Sequence, residues 1–363
     1  MQTNKNHKVY FDIMRIVAAL WVIYNHTEAY HAYMHIDGNL RLLYIPLSVI
    51  TKLSVPLFFM ISGATLLKKS ESFYVIFRKR ILRFLGVLIL FCAINFLMVN
   101  LDAFMDGDAY SFSPGRFLSH LLSGTIPGCI PYWFLYAYLG FLLCLPFLQH
   151  IAKHLSKMDF SVLLATHFVL LSMIPVVNIL LNHWGLSPIQ LTASFSVPFA
   201  SSSFLFYPLI GYYLDNHIDI KAIRGTQLFY LFICTLVCVL ASCLCIICEG
   251  NTAGEYSQNY VALFDYVIAI FAFVGIKYLA VNAYPQFFTQ RITAILSTAG
   301  SLTFGIYLLD PILVFVIGSK MTAFMKPYLP VLAISFCWCF ISMILGGFIT
   351  FVLKKMPIFR KLL

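Results

Sequence analysis

Residues 9–26 read VYFDIMRIVAALWVIYNH, an apolar stretch carrying Asp12, Arg15 and, at its far end, His26. With Lys5 and Lys8 in front it has the outline of a signal peptide. Asp12 and Arg15 interrupt the apolar run, however, and no small-residue cleavage site follows Tyr24, so the stretch reads as a retained first membrane helix. The pattern recurs along the chain, with further runs at about 44–67, 84–101, 132–149, 160–181, 199–214, 226–248, 259–280, 300–318 and 329–353. A helix crossing the hydrocarbon needs about 20 residues. The short 199–214 run carries Tyr207-Pro208 and Gly211 and reads as tilted or broken.

Composition agrees. Of 363 residues 61% are hydrophobic and 10% charged, with a mean hydropathy of +0.88, whereas soluble domains average roughly 45–50% apolar and roughly 25% charged. Soluble, disordered and fibrous classes are excluded. The reading is an all-α polytopic membrane protein with about ten transmembrane helices, a single transmembrane domain over residues 1–363, surrounded by membrane lipids.

The net charge is +10. No basic, aromatic-interleaved soluble module is present, so nucleic acid is not an expected partner. The excess is the positive-inside signal instead. With the N-terminus in the cytoplasm, 18 of the 24 lysines and arginines fall on that side. Five (Arg41, Lys52, Arg116, Lys320 and Lys326) fall opposite, and Arg15 lies within the first span. The alternation predicts an even number of spans with both termini cytoplasmic.

Ten cysteines are present. All but Cys129 lie in apolar runs, where thiols pack as small hydrophobes, and Cys245-Ile-Ile-Cys248 has no second half of a zinc site. Two opposite-side segments, Asn100–Pro131 with Asp102, Asp106 and Asp108, and Asn182–Pro198, are long enough for a lid or substrate mouth and equally serve as plain connections.

Ionisable residues within a span are costly and usually functional. Arg15 and His26 are eleven residues apart, which at about 100° per residue brings both to one face with about 16 Å between them. Ala19 and Val22 lie between, leaving a slot. A histidine is suited to take a proton from a hydroxyl near neutral pH, and an arginine low in the span suits an anion arriving from the cytoplasm. The plainer readings are an interfacial histidine, and an arginine that snorkels while pairing with Asp12 at i,i+3. Arg78-Lys79-Arg80-Ile-Leu-Arg83 puts Arg80 and Arg83 on one helical face, fit for phosphates or for anchoring. Glu28, His31, His35 and Asp37 cluster beyond the first span, but solvated loop residues account for them and no metal is expected.

Taken together these residues resemble the membrane-bound acyltransferase-3 family. Arg15, ten residues, then His26 is similar to its first-helix signature, and Val55-Pro56-Leu57-Phe58-Phe59-Met60-Ile61-Ser62-Gly63 to its second-helix stretch. Arg80-x-x-Arg83 is similar to its Arg-x-x-Arg motif, while Tyr132-Trp133-Phe134-Leu135-Tyr136 and Phe304-Gly305-Ile306-Tyr307-Leu308 resemble later stretches. The resemblance runs in order along the chain. It implies a ten-helix bundle in a bacterial cell membrane that passes an acyl group, usually acetyl, from cytoplasmic acetyl-CoA to a hydroxyl of an extracytoplasmic glycan or related envelope molecule. By position His26 is then the catalytic base and Arg15 a donor-site residue. Arg80 and Arg83 are then phosphate or structural contacts, and Arg78 and Lys79 in the same basic run are further candidates for donor contact. Asp310 stands where many members have histidine, so a mechanism using a second histidine is not expected. The family's optional hydrolase-like domain is not expected.

Only a thin pantetheine arm need enter the slot, since an adenine nucleotide does not enter an apolar core cheaply. No nucleophile adjoins His26, which favours direct attack of the acceptor hydroxyl on the thioester. Asn25, Glu28, Ser62, Tyr132, Trp133, Tyr307 and Asp310 are the remaining candidates for substrate or oxyanion contact. The alternative is a multispan transporter or exporter of a small molecule or lipid-linked glycan, which discontinuous helices near Pro175, Pro208 or Pro311 would favour.

Overall fold

The computed structural model describes residues 8–36, 38–105, 113–192 and 194–363, and every regular element among them is helical. Lys5, Asp37, Asp106 and Asp108 lie outside the described residues. The main helices are α1 (Val9–Asn25), α2 (Gly38–Leu66), α3 (Phe73–Ala103), α4 (Ile130–His154), α5 (Lys157–His183), α6 (Ser203–Asn216), α7 (Gly225–Asn251), α8 (Asp265–Ala283), α9 (Gln290–Met325) and α10 (Val331–Leu353). Each predicted run is thus a helix. Eight are long and apolar enough to cross a membrane. The other two are α1, with 17 residues, and α6, with 14, or about 26 and 21 Å at 1.5 Å per residue. Length marks eight crossings where the charge pattern predicts ten.

Local chemistry sets the ends. Ser156 and Asp159 form a capping box at the start of α5. Gly185 and Gly254, with φ of +70° and +77°, supply the left-handed backbone just past α5 and α7. The helices run through Pro175, Pro208 and Pro311, so the discontinuities that would favour a transporter do not occur there. A π turn at Val169–Met173 precedes Pro175 and makes room where the ring would meet the carbonyl four residues back. The break falls elsewhere, at Lys52–Leu53, between the two α-helical halves of α2, Arg41–Thr51 and Ser54–Leu66.

Packing divides into two compact units, Met1–Lys69 with Leu148–Ser301, and Ser70–Phe147 with Leu302–Leu363. In the first, α6 lies against the second half of α2. A Cβ at Gly63 would overlap the Pro208 backbone, and one at Gly211 the Met60 backbone. Only glycine lets the two backbones approach this closely, the usual device where solvent exclusion does not drive helices together. Asp12 is tucked beneath Gly300, where an added Cβ would sit 2.8 Å from its own. At the Lys8 end of α1, the Asp215 carboxylate accepts hydrogen bonds from Tyr10 Oη (2.6 Å) and Lys8 Nζ (2.8 Å). Lys277 Nζ lies 3.4 Å from it and donates to the main-chain oxygens of Leu214 and Asp215 (3.0 and 3.2 Å), closing the last turn of α6.

In the second unit two phenols cross-stitch α4 to α9. Tyr132 Oη donates to the Leu308 carbonyl and Tyr307 Oη to the Pro131 carbonyl, both at 2.6 Å. Tyr132 also accepts from Asn95 Nδ2 at 3.1 Å. Ser342 Oγ donates to the buried Asp310 at 2.8 Å, and a Cβ at Gly305 would run into Thr350.

Candidate functional site

Helix α1 is unbroken from Val9 to Asn25, so the predicted phase between Arg15 and His26 holds to the last helical residue. His26 is the residue after the helix, with φ −94° and ψ 0°. Its own amide bonds to the Ile23 carbonyl at 3.0 Å, while Thr27 returns both its amide (2.9 Å) and its hydroxyl (2.8 Å) to the Tyr24 carbonyl. Thr27 is buried, and this knot fixes where the imidazole leaves the helix.

Arg15 Nη1 donates to Asp12 Oδ1 at 2.9 Å, the i,i+3 pair anticipated from spacing. Arg15 and His26 are both partly exposed, whereas Ala19 and Val22 between them are buried. The stripe is packed at its middle rather than grooved along its length. The side chains that the sequence sets on one face are ordered at its two ends.

At the His26 end three segments of the first unit meet. Asn25 Nδ2 donates to the Thr51 carbonyl and to Ser54 Oγ, both at 3.3 Å, tying α1 to the break in α2. Lys52 occupies that break, with its ammonium 5.0 Å from the centroid of the Tyr30 ring. Ser48 Oγ donates to the Tyr30 carbonyl at 2.8 Å, so the ring is held against α2. Asp265, at the start of α8, accepts from Tyr207 Oη at 2.7 Å and is the carboxylate whose field Lys52 feels. Gln258 Nε2 meets His31 Nδ1. With the amide N–H donating, the ring nitrogen is the acceptor, a contact that favours the uncharged imidazole. Burial, then the positive charge of Lys52, then His35 and His26 push the His31 pKa below its ordinary value.

The other expected residues are placed as follows. Ser62 Oγ turns back to the Phe58 carbonyl at 2.8 Å. Asn25 has spent its N–H groups, and its remaining atom, Oδ1, accepts, which suits a hydroxyl rather than an oxyanion. Glu28 and Trp133 are exposed, and Tyr132, Tyr307 and Asp310 are the buried joints of the second unit. The basic run Phe77–Ile81 forms a π turn, a helical defect found often at functional sites. Within it Arg80 holds Glu71 through both Nε (3.0 Å) and Nη2 (2.8 and 2.9 Å). Arg83 Nε donates to the Leu362 carbonyl at 2.9 Å, while Arg78 and Lys79 are exposed. Among the described residues no group of three or more His, Cys, Asp or Glu is arranged to hold a metal ion. Sequence reasoning missed Lys52 and Tyr30. The available signal is an ionisable residue inside the second apolar run.

No curated protein and no solved structure is found to be similar to the chain. A family model described as an acyltransferase domain, that of the acyltransferase-3 family, matches residues 8–352. Matched over nearly its whole length, this multi-helix membrane chain belongs to the acyltransferase-3 family and is by that membership a membrane acyltransferase.

Proposed function

We propose that the protein is an O-acyltransferase that carries an acyl group, most simply acetyl, from cytoplasmic acyl-CoA to a hydroxyl of an extracytoplasmic glycan or related envelope molecule, with both chain termini in the cytoplasm. The observation that supports this reading is the unbroken α1, which in a chain of this family carries Arg15 in its first half and hands over to His26 directly at its end. His26 takes the proton of the acceptor hydroxyl as its oxygen attacks the thioester carbonyl. The C–O bond forms, the C–S bond breaks, and the leaving thiolate takes the proton back from the imidazolium. Arg15 stands at the donor end of α1, steadied by Asp12. Arg80 and Arg83, which match the family's Arg-x-x-Arg motif, and Arg78 and Lys79 beside them in the basic run are the proposed donor-phosphate contacts. Arg78 and Lys79 are exposed for that role, and Arg80 exchanges Glu71 for phosphate.

The test is transfer by the purified chain from radiolabelled acetyl-CoA to an envelope-glycan extract, alongside the thermal shift on adding CoA. His26→Ala is expected to lower turnover by about 10²–10⁴-fold while the CoA shift persists. Full turnover in that variant removes the proposed base.

A further inference from the structure

Three polar groups at the His26 end of the first unit have no hydrogen-bond partner among the described residues. Tyr30 Oη and Asn25 Oδ1 are both buried atoms, and Tyr30 as a whole is 2% exposed. Lys52 Nζ is the third, facing the Tyr30 ring and making no ion pair. Lys52 lies over Tyr30, and Asn25 bonds to Thr51 and Ser54 on either side of the break that Lys52 occupies. Lys52 itself is only partly exposed, and Thr51, Leu53 and Ser54 around it are buried. Buried polar groups are nearly always satisfied, and one left open calls for a ligand or a cost of some kcal/mol.

The orphaned groups specify their complement. Lys52 Nζ and Tyr30 Oη donate, while Asn25 Oδ1 accepts. Asp265, the carboxylate in reach of the Lys52 field, accepts from Tyr207 and makes no ion-pair contact with Lys52, so the ammonium has room for a second anion. One ammonium and one phenol suit a planar, singly charged two-oxygen anion better than a phosphate, which draws arginines or several donors. From this juxtaposition we infer that the acceptor is an acidic sugar whose carboxylate binds Lys52 and Tyr30, with a neighbouring hydroxyl on Asn25 Oδ1. The word acceptor rests on the acyltransferase reading proposed above, whereas the carboxylate site does not.

The test is binding, by titration calorimetry, of a glucuronate-containing disaccharide and its carboxyl-reduced neutral twin to the full chain in phosphatidylcholine nanodiscs. The uronate should bind at least about tenfold more tightly than the neutral sugar, the ratio expected for one charge-assisted contact. Lys52→Gln should bring the ratio near one, and Lys52→Arg should retain part of it. Equal binding of the two sugars by the unaltered chain overturns the inference and needs no variant. So does a preference that survives Lys52→Gln, or one erased when phosphatidylglycerol replaces part of the lipid, since the anion then belongs to the membrane. A Lys52-dependent uronate preference without acyl transfer from acetyl-CoA keeps the carboxylate site and removes the catalytic reading.

Discussion

Replacing Asp215 by Asn tests the electrostatics of the joint at the Lys8 end of α1. The carboxylate has no exposed side-chain surface and Lys277 has 7%, whereas Lys8 keeps 39%. Removing one partner of a buried pair costs roughly 3–5 kcal/mol, chiefly because the other charge is stranded. Asp215→Asn strands Lys277, which retains the carbonyls of Leu214 and Asp215 and the face of the Tyr10 ring at 5.9 Å, and weakens the 2.6 Å bond from Tyr10. Lys8→Ala removes a half-exposed, screened partner and should cost no more than about 1 kcal/mol. The double variant Asp215→Asn/Lys277→Met takes out both buried charges, so it should be more stable than Asp215→Asn alone, with a coupling above about 1 kcal/mol. Equilibrium unfolding in mixed micelles, followed by tryptophan fluorescence, measures the unaltered protein, these three variants and the single variant Lys277→Met that closes the cycle. If Asp215→Asn costs no more than Lys8→Ala, or if the double variant is simply additive, the account of a stranded ammonium is wrong.

Two further outcomes are expected. Gly63→Ala drives a methyl into the Pro208 backbone, where no flexible side chain can yield, so it should cost at least the roughly 1–3 kcal/mol of an overpacked core and lower the thermal midpoint in detergent; an unchanged midpoint would show that α6 slides aside freely. His31 is held neutral below its ordinary pKa of 6.5, so the unfolded chain binds a proton there that the folded chain does not. Its contribution is therefore complete above about pH 6.5 and declines as pH falls below it. His31→Gln should flatten the acid side of the stability profile, and an identical profile would refute the assignment.

The apolar runs made the helices legible because hydrophobic length needs no tertiary information. The phase of Arg15 and His26 was equally legible, since a regular helix fixes it, as was the Asp12–Arg15 pair. The break in α2 was not. Its second half reads as one apolar run with the first, and only the structure shows Asn25 reaching Thr51 and Ser54 across the interruption. Motif residues were visible without their reasons. Gly63 needs Pro208, and Tyr132 needs Leu308, partners 145 and 176 positions away. Lys52 was hidden by its type, because a lysine near a span end looks like topology until its neighbours are seen to be buried.

The cross-stitch of Tyr132 and Tyr307 has an asymmetric tolerance built into it. Each phenol must be present at its own position, but each rests on a peptide carbonyl that any amino acid supplies. The two hydrogen bonds therefore make no demand on the side chains at 131 and 308, where only packing around the buried Leu308 does, and the loss of a single hydroxyl opens half of the seam.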